Sequence, residues 1–362
     1  MSLDTAVAAG TLRRATAAFP QTALWNDSAD PAQLTRSIAF GAVGATCNPV
    51  IALAAVKSDL ARWRPRIAEL AAEHPTWGES QIGWRVVEEL SIEAARLLLP
   101  AFRESRGFNG RLSIQTDPRL HRDADALVRQ AVHFAGLAEN IIVKIPATSV
   151  GLRAIEEATY RGVSINVTVS FSVPQAVQAA EAIERGLDRR DAEGLPAHEF
   201  GSVVTIMGGR LDDWLKTLAA RERILVTPGS LDWAGVAALK RAYEIFRERG
   251  FRSRVLSAAF RSSLQWSELV GGDLVVSPPF EWQTLIEENA LPAESRIDRP
   301  VDAAILSELL RKFPEFRRAY EPDGMTPQEF DRFGPTRTTL RQFLEADAQL
   351  DAVVRDVLIP AP

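Results

Sequence analysis

Residues 141–170 read IIVKIPATSVGLRAIEEATYRGVSINVTVS. Ile141 to Ile145 is an apolar run of strand length, Gly151 to Arg161 has helical spacing, and Ser164 to Val169 is a strand on which Asn166 and Thr168 share a face. Two strands joined through a helix pair in parallel, because the chain must cross back before it can run in the same direction again. Lys144 stands out in this unit, since it puts an ammonium inside an apolar run. Lost hydration lowers the pKa of such a group and leaves a neutral amine able to attack a carbonyl. Schiff-base chemistry is the functional reading; a lysine on an edge strand, its stem along the sheet and its head in water, is the structural alternative.

The alternation continues on both sides. Upstream, a helix is expected over Thr5 to Ala18, then short strands over Thr22 to Asp27 and Ala42 to Asn48, the second stopped by Pro49. Ser58 can cap a helix running to about His74, Glu79 to Glu104 is a helix with a wide apolar face, and Asp123 to Leu137 is helical. Between them Arg111 to Asp117 is a strand with Ser113, Gln115 and Asp117 on one face. Downstream, Pro174 opens a helix to about Asp188, the charged stretch from Asp188 to Phe200 reads as a solvated loop, and Ser202 to Ile206 leads into Met207-Gly208-Gly209-Arg210. Gly235 to Arg249 is an amphipathic helix, Arg254 to Ala258 a strand, Ser262 to Val270 a short helix, and Leu274 to Ser277 a strand closed by Pro278-Pro279.

About eight strand candidates alternating with helices over roughly residues 20–285 imply an α/β fold, the closed (β/α)8 TIM barrel, with a doubly wound open sheet as the alternative. From about Pro300 the chain turns helical, with Val301 to Lys312, a break at Pro314, and a last helix from about Thr336 to Leu358; Thr326-Pro327 and Thr336 read as helix starts. We expect one barrel domain over 1–362, with added N- and C-terminal helices, the C-terminal extension of about 300–362 lying on the barrel exterior or over one mouth. Chemistry in such barrels sits at the C-terminal strand ends. Asp27, Asn48, Gln115, Lys144, Thr168 and Arg210 all fall at or just past those ends.

The 362 residues carry a net charge of −5, so no global positive field would hold nucleic acid or an anionic membrane, and small ligands are expected. Cys47 is the only cysteine, which fits a reducing cytosol and a cytoplasmic protein; no secretory leader or apolar span is read. Four scattered histidines and one cysteine show no metal-ligand spacing, and no glycine-rich dinucleotide or P-loop fingerprint appears. No metal or cofactor is therefore expected.

The motifs, in order, resemble those of the transaldolases, class I Schiff-base enzymes with an α/β barrel. Trp25-Asn26-Asp27-Ser28 resembles the segment that carries the family's acid/base aspartate, and Gly44-Ala45-Thr46-Cys47-Asn48-Pro49 its Thr-Asn-Pro element. Gly110 to Leu120 is similar to the third-strand segment, Val143-Lys144-Ile145-Pro146-Ala147-Thr148 to the Schiff-base lysine motif, and Asn166 to Ser172 with Gln175 and Ala176 to the strand that follows. Gly209-Arg210, Ala259-Phe260-Arg261 and Ser277-Pro278 complete the set. The resemblance implies that Lys144 forms an imine with a ketose phosphate, that Asp27 moves the proton of the C4 hydroxyl, and that Thr168 orients the water of imine formation. It implies Asn48 and Asn166 on the hydroxyls of a dihydroxyacetone unit, Thr205 at the phosphate end, and Arg210 with Arg261 clamping the phosphate. The activity so implied is the transfer of dihydroxyacetone between sugar phosphates in the pentose phosphate pathway: sedoheptulose 7-phosphate and glyceraldehyde 3-phosphate to erythrose 4-phosphate and fructose 6-phosphate. A homodimer is left open.

The chain departs from that pattern. Gln115 stands where transaldolases carry a glutamate that works through a water; an amide can hold a water but cannot shuttle its proton. Related fructose 6-phosphate aldolases have glutamine there with a tyrosine beside it, and the counterpart of that tyrosine here is Met207. Thr205 replaces a serine, and Ala259 removes a hydroxyl two residues before Arg261. Two alternatives follow: aldol cleavage or a non-standard acceptor, and a non-catalytic sugar-phosphate-binding protein. Asp27 as a helix cap, Asn48 as a turn residue, Thr168 as strand filler and Arg210 as a surface arginine are the structural alternatives for single residues.

Overall fold

The computed structural model describes residues 10–196 and 201–360. Eight strands form its centre: β1 Thr22–Leu24, β2 Gly44–Thr46, β3 Arg111–Gln115, β4 Ile141–Pro146, β5 Ile165–Thr168, β6 Val203–Met207, β7 Arg254–Ala258 and β8 Leu274–Val276. All pair in parallel in the order β1-β8-β7-β6-β5-β4-β3-β2. The seam between β1 and β2 is closed by a bridge between Asn26 and Ala45, with Val43 N donating to Leu24 O at 2.8 Å and Thr46 N to Asn26 O at 2.9 Å. The result is the (β/α)8 barrel, and the open doubly wound sheet is excluded.

Side-chain alternation divides the core in two. Val143, Ile145, Ile165, Val167, Val204 and Ile206 face the surrounding helices, while Ala23, Trp25, Ile142, Val203, Leu256 and Val275 fill the barrel itself. Trp25 is fully buried, and Gly44 makes room for its indole: a Cβ at Gly44 would lie 2.4 Å from the ring.

The last helix, Gly334–Leu358, crosses the C-terminal mouth. Near its start Thr336 meets Gln175, which follows β5. Gln342 meets Arg210, after β6, and Asp347 and Asp351 then pair with Arg119, after β3, at 3.0 and 3.3 Å. Arg355 pairs with Glu79 beyond the rim. Ion pairs and hydrogen bonds to residues that follow three of the strands thus fix this helix over the mouth rather than on the barrel exterior.

Several local expectations need correction. Ser58 ends the Pro49–Ser58 helix, and it is Asp59 that caps the next one, Leu60–Glu73, by accepting from Arg62 N. Thr336 lies inside the last helix, which starts two residues earlier at Gly334. The charged stretch is not all loop: the Val173–Ala192 helix continues into it as far as Ala192, because Arg252 pairs with Glu184, Asp188 and Asp191 along its face and Arg190 is buried against Tyr160 O and Pro196 O. Helices over Pro31–Ala39, Gly208–Glu222 and Phe280–Glu288 had no counterpart in the sequence reading. The N-terminal helix is Thr11–Ala18; Thr5 to Ala9 and the end of the charged stretch, 197–200, lie outside the described residues.

Candidate active site

Register places three polar residues side by side at the C-terminal ends of neighbouring strands. Gln115 on β3 is opposite Lys144 on β4, which is opposite Asn166 on β5. Because β4 is flanked on both sides and Lys144 is only 6% exposed, the edge-strand alternative does not hold. Among the described residues no hydrogen bond or ion pair holds the Lys144 ammonium. Burial lowers its pKa from the usual lysine value, with the negative charge of Asp27 opposing that shift. An unpaired amine in a dry site is the form of lysine that acts as a nucleophile.

Asp27 follows β1 and is half-buried. Its backbone N–H donates to Pro278 O at 3.2 Å, and its carboxylate accepts from the Thr46 hydroxyl, so it is held from β8 and β2 and caps no helix. Asn48 does cap one: its Oδ1 accepts from Ile51 N at 3.0 Å at the start of the Pro49–Ser58 helix, which leaves its amide N–H groups for a ligand. Thus Pro49 both stops β2 and opens the helix.

Asn166 lies deeper than a substrate contact alone requires. It donates to Ser113 Oγ at 2.9 Å and its Oδ1 accepts from Thr205 Oγ1 at 2.8 Å. Ser113, Asn166 and Thr205 therefore form a buried polar chain across β3, β5 and β6, and Thr205 orients Asn166 rather than standing with the arginines. Thr168, one turn of the pleat above Asn166, is 2% exposed, and among the described residues no side-chain hydrogen bond holds it.

Arg210 and Arg261 come together at the far side of the mouth, in a cleft of about 370 Å³ shared with Asp213, Thr338 and Gln342. Arg210 loses basicity first through burial and then through the positive charge of Arg261, the signature of two like charges converging where an anion could sit. Its Nε is buried without an acceptor among the described residues, and Nη1 donates to Gln342 Oε1. Arg261 is exposed and donates through Nε to Asp213 at 2.9 Å. Gly209 permits this geometry, since a Cβ there would lie 1.9 Å from Ala259 O. Ala259 and Val169, just past β7 and β5, both adopt positive φ, 62° and 51°, so the strand ends that carry the site are backbone outliers.

Sequence reading missed the contribution of the last helix, because nothing in a local pattern says which mouth a helix crosses. It also missed the job of Gln175. That side chain is fully buried, accepts from Phe171 N and Ser172 Oγ, and donates to Ala147 O, Val169 O and Thr336 Oγ1. It thereby ties the ends of β4 and β5 to the last helix. Its only sequence signal was membership of the motif after Asn166. Among the described residues no cluster of metal-ligating side chains occurs, and no helix is long and apolar enough to cross a membrane.

Residues 24–316 match the family described as transaldolase/fructose-6-phosphate aldolase. The chain is 32% identical over 209 residues to "Transaldolase 1" of Streptomyces avermitilis, covering 57% of this chain and 54% of that protein, about half its length. It is 32% identical over 274 residues to "Transaldolase 1" of Streptomyces coelicolor, covering 74% and 69%. It is 27% identical over 315 residues to the transaldolase of Chlamydia pneumoniae, covering 84% and 86%.

Proposed function

Since this chain belongs to the transaldolase/fructose-6-phosphate aldolase family, we propose that it transfers a dihydroxyacetone unit from a ketose phosphate to an aldose phosphate through an imine on Lys144. The observation that carries this reading is the buried Lys144 amine, free of any hydrogen bond with the described residues, between Gln115 and Asn166 and within the field of Asp27. The neutral amine attacks the ketose carbonyl, water leaves, and the imine withdraws electrons from the adjacent carbon. Asp27 takes the proton of the C4 hydroxyl, the C3–C4 bond breaks, and an aldose departs. The remaining enamine attacks the acceptor aldehyde, and Asp27 returns its proton to the new hydroxyl.

The amide N–H groups of Asn48 suit the hydroxyls of the three-carbon unit, with Asn166 beside the lysine for the same unit, and Thr168 faces the water of imine formation. Arg210 and Arg261 hold the phosphate, for which two planar donor forks are suited. Sugar phosphates are the substrates, on this reading, and sedoheptulose 7-phosphate with glyceraldehyde 3-phosphate the physiological pair. The cytoplasm is the compartment we attach to it, on the strength of the lone thiol of Cys47. A homodimer is the assembly to be checked by light scattering.

The test is to incubate the protein with fructose 6-phosphate, reduce with borohydride and map the adduct, with and without erythrose 4-phosphate. A dihydroxyacetone-sized adduct on Lys144, depleted by the acceptor, is expected. An adduct that the acceptor leaves intact favours aldol cleavage, the reading that Gln115 motivates. No adduct with any ketose phosphate sinks the imine mechanism and leaves a binding protein.

A further inference from the structure

Imine formation and its reversal need a proton delivered to, and taken from, the oxygen that leaves as water. The amide of Gln115, the nearest polar group on β3, cannot do this. Beside it is a small cavity of about 10 Å³, large enough to seat one water, lined among others by Cys47, Asn48, Gln115 and Asp347 and walled by Trp84 and Leu350. Gln115 is 4% exposed, and its Oε1 accepts no hydrogen bond from any described residue. Gln115 lies opposite Lys144 in the strand register, and Cys47 feels the charges of both Lys144 and Asp27, so this cavity lies on the Lys144 side of the mouth. The one acidic residue that lines it, Asp347, comes from the helix that crosses the mouth.

We propose that Asp347 supplies and takes up the proton of the water steps at Lys144, acting through a water seated on Gln115. This rests on the Schiff-base reading above. In the dehydration step the protonated Asp347 passes its proton through that water to the carbinolamine hydroxyl. The C–O bond breaks, water leaves, the nitrogen lone pair closes the C=N bond to give a protonated imine, and Asp347 is left as carboxylate. Hydrolysis of the product imine runs the same transfers backwards.

The surroundings of Asp347 allow it to hold a proton near neutrality. Arg119 is shared by three carboxylates, Asp117, Asp347 and Asp351, at 2.8, 3.0 and 3.3 Å, and Asp347 is the most buried of them. One guanidinium cannot neutralise all three. Burial first, and then the charge of Asp117, pushes the Asp347 carboxyl up to about 7 against the pull of Arg119. Further along, Glu79 and Arg355 pair with each other at 2.5 Å and Glu79 adds negative charge beside Asp351. The thiol of Cys47 stays neutral throughout, with its pKa pushed up to about 12.

The experiment follows the rate at which the reducible adduct appears on Lys144 from fructose 6-phosphate, between pH 5.5 and 8.5, in four proteins: unaltered, Asp347→Asn, Asp347→Glu and Glu79→Gln. The last loosens the same helix without touching the cavity. In the unaltered protein the rate should fall as pH rises through about 7, where Asp347 loses its proton. Asp347→Asn should slow adduct formation by on the order of a hundredfold and abolish that falling limb, with sugar affinity unchanged. Asp347→Glu should recover part of the rate, and Glu79→Gln should keep both rate and pH profile. An unaltered rate and profile in Asp347→Asn overturns the proposal while leaving the Schiff-base reading intact, as does an equal loss in Glu79→Gln. A falling limb missing from the unaltered protein overturns it whether or not the variants fold, and absence of any adduct there overturns both readings.

Discussion

Arg210, in the first turn of the Gly208–Glu222 helix, donates through Nη1 to the side-chain oxygen of Gln342 on the helix that crosses the mouth. A phosphate bound by Arg210 must share or displace that amide. Gln342→Ala should therefore lower KM for a sugar phosphate by about threefold, while KM for the unphosphorylated sugar stays unchanged. Arg210→Lys should act in the other sense, because an ammonium replaces a planar fork with a point charge, and raise KM for the phosphate about tenfold with kcat less affected. Steady-state kinetics on phosphorylated and unphosphorylated substrates separate the two. Equal effects on both would show that the arginine cleft does not see phosphate.

Lys144 gives a stability prediction with a defined sign. Its folded-state pKa is lowered by burial, so between the folded and unfolded values the unfolded chain holds the extra proton and stability rises with pH. Lys144→Met removes the buried charge. The variant should lose imine formation altogether, yet exceed the unaltered protein in stability by on the order of 1 kcal/mol at pH 6. That excess should shrink as pH climbs toward the ordinary lysine pKa of 10.5. Urea midpoints at pH 6 and 9 measure it, and a gap that widens with pH contradicts the assignment of Lys144 as the desolvated group.

Cys47 is 1% exposed and its thiol pKa is pushed up to about 12, chiefly by burial and despite the nearby Lys144. The raised value means that the folded state keeps the thiol neutral while the unfolded chain ionises it near 9.0, so this contribution to stability is full below pH 9 and is lost as pH rises toward 12. Thiolate is the reactive form. Ellman's reagent at pH 8 should therefore label the folded protein at least a hundredfold more slowly than the urea-unfolded chain. Rapid labelling in the folded state would mean that the mouth opens further than the C-terminal helix here permits.

How much of this could be read from the chain varies with the range of the interaction. The run 254–258 stands as β7 with the bounds its sequence suggests, and Glu79–Glu104 likewise as a helix, because alternation and 3.6-residue spacing are local signals. The Pro49–Ser58 helix went unread because Pro49 serves as a strand stop and as a first helical residue at once, with Asn48 both strand end and cap. Gly208 and Gly209 carry no helix signal, yet they open a helix: Gly209 packs against Ala259 O and Gly208 against Gly235, contacts that only the tertiary structure reveals. The site divides in the same way. Lys144, Asp27 and Arg210 announced themselves at strand ends and Arg261 only through the family motif, whereas the partnership of Asn166 with Ser113 and Thr205 depends on register across β3, β5 and β6. The carboxyl of Asp347 comes from more than 200 positions beyond Gln115 in the chain, counted from their residue numbers.

Gln175 shows how such a long-range device can be tested. Its amide nitrogen donates to Ala147 O at 3.1 Å, Val169 O at 3.0 Å and Thr336 Oγ1 at 3.4 Å, and its oxygen accepts from Phe171 N at 3.1 Å. These bonds hold Val169 at a φ of 51°, a conformation that a β-branched residue rarely adopts, immediately after Thr168. Gln175→Ala leaves two buried carbonyls and an amide N–H unpaired, at a cost of about 2–5 kcal/mol. Gln175→Glu keeps the shape but donates none of these bonds when ionised and at most one when protonated, so it should destabilise at least as much and more at pH 8 than at pH 5. Val169→Gly relieves the outlier by on the order of 1 kcal/mol but also removes a fully buried side chain, worth about 2–3 kcal/mol, so alone it should destabilise by about 1–2 kcal/mol. Denaturant unfolding of the three single variants and the Gln175→Ala/Val169→Gly pair measures the coupling. Strict additivity of the two changes would mean that Gln175 does not hold the β5 end in place.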